Sequence, residues 1–159
     1  GTLLHRHLSR DNEQGTLRRT TNDFELATAI LFQSPVQNFA LAPDDLVDSL
    51  AYAIDFMRTV PVTWDDIRFI DGYPGKYAVI AREKDGVWYV AAVNADQTPY
   101  QLDLNAIAAK FNSPASVSVL HGDRKSEKAI NYKAKAKSKA YKPNIISLSE
   151  GDGAVIIIQ

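Results

Sequence analysis

The chain has 159 residues, 45% of them hydrophobic and 23% charged, a balance that excludes a wholly disordered polypeptide. A net charge of −1 supplies no overall field for nucleic acid or an anionic membrane, and no apolar run approaches the ~20 residues of a membrane span. There is no cysteine, so disulfide frameworks, thiolate zinc sites and cysteine nucleophiles are excluded.

Residues 1–19 are polar and basic. His5, His7 and Asp11 lie here, but a His-x-His pair with a distant Asp matches no ligand spacing with a mechanism behind it, and the third histidine is far off at His121. A loop or frayed arm is the expectation, with no metal site. A helix should then start at Asn22, a suitable N-cap with Glu25 three residues on, and run to about Gln33. Its body is apolar on almost every face, so it should be buried on more than one side. Ser34-Pro35 ends it. A second helix is expected from Pro43 to about Thr59, with a core stripe of Leu46, Leu50, Ala53, Ile54 and Met57.

From Pro61 onward the pattern changes to strand and turn. Thr63-Trp64-Asp65-Asp66 is turn-like, Ile67-Arg68-Phe69-Ile70 a short strand, and Tyr73-Pro74-Gly75-Lys76 a turn. Tyr77–Ala81 is a strand, Asp85-Gly86 a tight hairpin signal, and Val87–Val93 a strand apolar nearly throughout, hence central and buried on both faces. Further strands are read at 100–104, 115–120, 129–139, 144–148 and 154–158, with a short helical piece at 106–111. Seven or eight short strands with turns between them indicate an antiparallel sandwich or barrel. The fold class expected is α+β, with helices over 1–60 and, of the two β architectures, a β-sandwich over 61–159.

Residues 124–142 hold 8 of the 18 basic residues. On a strand, Lys133, Lys135, Lys137 and Lys139 would share one face, as on a charge-protected edge strand. A nucleic-acid groove would interleave more aromatics. Glycoside hydrolysis needs two carboxylates flanking one bond. The adjacent pairs Asp44/Asp45 and Asp65/Asp66 point apart, whether on a helix or a strand. No catalytic residue is assigned. Trp64, Trp88 and Tyr89 are candidates for stacking on an oligosaccharide, against the ordinary role of aromatic rings in a core.

The ordered features TWDD, FIDGYPGKY, IAREKDGVWYV and AAVN, preceded by TTNDFELATAILFQSPVQNFAL, resemble the C-terminal region of glycoside hydrolase family 97, whose members are bacterial α-glucosidases and α-galactosidases. The resemblance spans most of Thr20 to Asn94. It implies that 1–60 is the end of a (β/α)8 barrel and 61–159 a C-terminal β domain. It also implies that the catalytic carboxylates and the calcium ligands of the parent enzyme lie in parts this sequence does not contain. The implied partners are the parent's own N-terminal and barrel domains, a second copy of the chain and, in the alternative reading as a carbohydrate-binding module, an oligosaccharide. The implied location is the periplasm or the exterior of a bacterium. On this view Phe24, Ile30, Leu31, Phe32 and Phe39 would face an oligomer or domain interface.

Overall fold

A computed structural model describes residues 2–3, 18–41, 43, 51–111, 114, 116–122, 132–135 and 144–159. In chain order the elements are β1 (Thr2–Leu3), α1 (Asn22–Leu31), β2 (Phe39–Ala40), α2 (Ala51–Thr59), β3 (Asp66–Tyr73), β4 (Tyr77–Lys84), β5 (Val87–Asn94), β6 (Tyr100–Asp103), α3 (Leu104–Ala108), β7 (Ser116–Leu120), β8 (Tyr132–Lys135), β9 (Ile145–Leu148) and β10 (Asp152–Ile158).

Six strands form one antiparallel sheet in the order β3-β4-β5-β10-β7-β8, and β6 pairs with β9 in a second, two-stranded sheet. Successive side chains on a strand point to opposite faces, and that rule divides the large sheet between two cores. Val79 and Ala81 of β4, Val90 and Ala92 of β5 and Ala154 and Ile156 of β10 meet Leu102, Leu104, Ile146 and Leu148 of the small sheet and α3. Ala91 and Val155 face the other way, onto Leu26, Ala27 and Ile30 of α1 and Tyr52, Ala53 and Phe56 of α2. The strand 87–94 is thus buried on both faces, as its unbroken apolar run requires.

The hairpin between β4 and β5 turns through Asp85 and Gly86 at φ 51° and 81°, the positive-φ pair that matches the twist of the flanking strands. Strand β3 is longer than its sequence suggests. It continues through Asp71 and Gly72 because a bulge between Phe69 and Asp71 takes up one residue of register. Thr21, rather than Asn22, caps α1, its hydroxyl accepting from the Phe24 N–H. The helix stops at Leu31, two residues before the expected Gln33. The buried face of α2 is Tyr52, Ala53 and Phe56. Ile54 and Met57 of the expected stripe are only half-buried. Leu46 and Leu50 lie outside the described residues, as do His5, His7, Asp11 and the pair Asp44/Asp45. Strand β8, which carries Lys133 and Lys135, sits at the outer edge of the large sheet, whereas Lys137 and Lys139 lie outside the described residues.

Candidate functional site

A buried polar cluster lies where α1, α2, β7 and β10 meet. Asp23, in the first turn of α1, and Asp152, at the start of β10, are both buried. Asp23 Oδ1 accepts the Tyr52 hydroxyl at 2.8 Å, and its Oδ2 accepts the Gly122 N–H just after β7. Asp152 Oδ1 accepts the Thr21 hydroxyl at 2.8 Å and its neighbour's N–H, from Gly153, at 2.9 Å. His121 Nδ1 lies 3.1 Å from the Gly153 carbonyl oxygen.

Burial raises the Asp23 carboxyl above the ordinary carboxylate range. The Gly122 N–H, the Tyr52 hydroxyl and the nearby His121 pull it back down, while Asp152 pushes it up. The Tyr52 hydroxyl is held protonated well above its ordinary value, first by burial and then by the Asp23 charge. Each carboxylate meets donors of the fold, Tyr52 and Gly122 at Asp23 and Thr21 and Gly153 at Asp152, as buried acceptors require.

Asp23, His121 and Asp152 each place one ligating atom within 4.8 Å of the other two. One imidazole nitrogen and two carboxylate oxygens suit a transition-metal dication. Calcium takes six to eight oxygens, and this group does not supply them, so the calcium implied by the resemblance has no oxygen cage here. Nor does the carboxylate pair suit hydrolysis. A glycosidase needs its two carboxylates exposed to a cleft on either side of the scissile bond, whereas these two are buried and bonded to the fold. What the cluster does is hold the N-terminal end of α1 against the sheet.

The aromatic candidates are separated by the large sheet. Trp64 is packed in the helix-side core, edge-on to Tyr89 with ring centroids 5.4 Å apart. Trp88 lies against the other core, its ring 5.1 Å from Phe111 and covered by the Arg68 guanidinium carbon at 4.2 Å. All three are half-buried. Asp65, in its turn, is tied to Lys84 at 2.9 Å, and Asp66 accepts the Ile67 N–H. Of the five residues assigned to an interface, Ile30 is fully buried in this chain. Phe24, Leu31 and Phe39 are half-buried, and Phe32 alone is exposed. The sequence offered no signal for the Asp23–His121–Asp152 cluster, since its members are 98 and 31 residues apart along the chain.

Sheet, helices and buried polar cluster define a non-barrel, antiparallel β module with helices packed on one face and no catalytic pair among the described residues. Residues 63–159 match the family described as "Glycosyl-hydrolase 97 C-terminal, oligomerisation", and the chain belongs to that family. A retaining alpha-galactosidase of Bacteroides thetaiotaomicron is 32% identical over 69 residues, which is 43% of this chain and 10% of that protein. A probable retaining alpha-galactosidase of Streptomyces bingchenggensis is 35% identical over 71 residues, 45% of this chain and 11% of that protein. Among solved structures, a beta-arabinopyranosidase aligns with a TM-score of 0.78 and 44% identity, over 99% of this chain and 24% of that one. A family 97 enzyme of Pseudoalteromonas shares the fold at a TM-score of 0.67 and 20% identity, over 91% of this chain and 23% of that one. The chain therefore spans about a quarter of the related solved chains.

Proposed function

We propose that this domain serves a family 97 glycoside hydrolase without taking part in its chemistry, by bracing the catalytic barrel and joining copies of the enzyme. The bracing reading rests on one observation. The helical segment that the sequence likens to the end of a barrel shares a core with the large sheet and is pinned to it by the Gly122 N–H on Asp23 and the Thr21 hydroxyl on Asp152. A barrel continuous with α1 would be held to the β domain by that junction. The parent enzyme would act, outside the cytoplasm, on α-galactosidic or β-arabinopyranosidic bonds. The two are stereochemically akin, an α-D-galactoside differing from a β-L-arabinopyranoside by its hydroxymethyl group. An α-glucosidic substrate is the remaining alternative. Calcium, if the parent uses it, would be held outside the described residues.

The test is hydrolysis by the isolated chain of nitrophenyl α-galactoside, β-L-arabinopyranoside and α-glucoside. No turnover above buffer is expected. Turnover that tracks the purified chain would overturn the non-catalytic reading.

A further inference from the structure

We propose that the edge strand β3 is the surface on which a second copy of this chain docks, with Ile67 and Phe69 as its apolar anchors. This rests on reading the domain as an oligomerisation unit, and it names the surface that does the work.

Seven large hydrophobic side chains are exposed among the described residues, and three of them belong to β3: Ile67 at 54%, Phe69 at 70% and Tyr73 at 60%. Strand β3 is also one of the two edges of the six-stranded sheet, the other being β8. Ile67 and Phe69 lie opposite Arg82 and Ile80 on β4, so both project from the same side of the sheet. The Phe69 ring lies along its own strand over Gly72, where a Cβ would come within 3.1 Å of it. The result is a flat aromatic surface seated on one side and bare on the other. Exposed contiguous apolar surface of this kind marks interaction sites.

Two N–H groups of the β3 backbone are already engaged within the chain. The Ile67 N–H already donates to the Asp66 carboxylate at 2.7 Å, and the Gly72 N–H to Asp71 at 2.8 Å. The bulge between Phe69 and Asp71 breaks the regular ladder, a recognised protection of free edges. What the strand has to offer a partner is its side chains. A second copy is the occupant that fits the family match. The region described as oligomerisation begins at residue 63, just ahead of β3, and leaves out α1 and α2. The apolar residues of α1 are largely spent inside this chain. A two-fold arrangement would set Phe69 of each copy against the same strand of the other, burying both at once.

The experiment is the solution mass of the chain by light scattering after gel filtration, across a concentration range. It compares the wild type with Phe69→Asp, Ile67→Asp and Phe32→Asp, the last changing an exposed aromatic outside the matched region. The wild type is expected at twice 17.6 kDa or a higher multiple. Phe69→Asp and Ile67→Asp are expected at 17.6 kDa with an unchanged circular-dichroism spectrum, and Phe32→Asp should keep the wild-type mass. A wild type that stays monomeric would defeat the oligomerisation reading itself. An oligomer that survives both β3 changes, or that only Phe32→Asp dissociates, would overturn the β3 assignment and leave the reading standing. Should an aspartate variant misfold, the absence of cysteine gives a second measurement. Oxidised Phe69→Cys should cross-link into dimers and Phe32→Cys should not, and the reverse pattern would overturn the proposal.

Discussion

The Tyr52 hydroxyl donates to Asp23 Oδ1 across 2.8 Å, and this buried bond joins α2 to α1 at the point where α1 also meets β10. Removing only that oxygen isolates its contribution. Tyr52→Phe leaves the ring packed and strips Asp23 of one of the two donors that meet it among the described residues, while the carboxylate stays buried. Leaving a buried acceptor short of a donor costs about 1–3 kcal/mol. Urea unfolding should show a lower midpoint with the slope unchanged, the shift multiplied by the slope giving that free energy. An unaltered midpoint would mean that water replaces the hydroxyl and that the bond does not brace the helices.

The same tyrosine gives an expectation at alkaline pH. Its folded-state value is raised above the ordinary 10.0 by burial and by Asp23. Below pH 10 both folded and unfolded chains keep the proton. Above it the unfolded chain releases the proton and the folded one does not, so stability falls as pH rises. One fully titrating group contributes about 1.4 kcal/mol per pH unit. Tyr100, raised by burial and by its bond to Asp71 at 2.9 Å, acts in the same direction. Chemical denaturation from pH 9 to 11 should show a steep loss in the wild type and a shallower one in Tyr52→Phe. Equal slopes would show that Tyr52 ionises freely in the folded protein.

The strands were easier to read from the sequence than the helices, for a physical reason. Asp85-Gly86 and Pro74-Gly75 mark turns by local backbone preference, and the apolar run 87–93 announces burial by itself. These signals do not depend on distant residues. The bulge in β3 left no such mark, because it depends on how β3 registers against β4. The sequence also shows that α1 is apolar on nearly every face, but not what covers it. The answer is that the large sheet is apolar on its second face as well, through Ala91, Val155 and their neighbours, and α2 closes over the other side. The cluster of Asp23, His121 and Asp152 was illegible because three distant segments make it, each residue having an ordinary local explanation.

Gly153 marks the closest approach of α1 to β10. A Cβ there would lie 2.7 Å from the Phe24 Cα and 3.0 Å from the Ala92 carbonyl oxygen. Both obstacles are backbone, so no rotamer change relieves them. Gly153→Ala must lift the helix from the sheet, at about 1–3 kcal/mol for an overpacked core. Gly75→Ala is the matched comparison. It has nothing within 4 Å and a φ of +76°, so it carries only the left-handed strain of about 1 kcal/mol. Thermal unfolding should therefore rank Gly153→Ala below Gly75→Ala. The opposite ranking would show that α1 shifts freely on the sheet.

Asn94 ends β5 as a fully buried polar side chain. Its Nδ2 faces the carbonyl oxygens of Asp96, Thr98 and Leu148 at 3.1, 3.0 and 2.9 Å, and its Oδ1 accepts the Asp96 N–H. One amide thus ties the end of β5 to the loop after it and to β9 of the second sheet. Asn94→Ala leaves these groups unpaired, at about 1–3 kcal/mol. Asn94→Asp is worse at neutral pH, because it aims a buried negative charge at three carbonyl oxygens. Burial and those oxygens would raise the introduced carboxyl's value in the folded state, so lowering the pH should restore part of the loss as the acid becomes neutral and donates one bond. Urea midpoints at pH 7 and pH 4.5 should place Asn94→Asp below Asn94→Ala at the higher pH and narrow the gap at the lower. A variant carrying aspartate that matches the wild type at pH 7 would show that the amide is not what holds the two sheets in register.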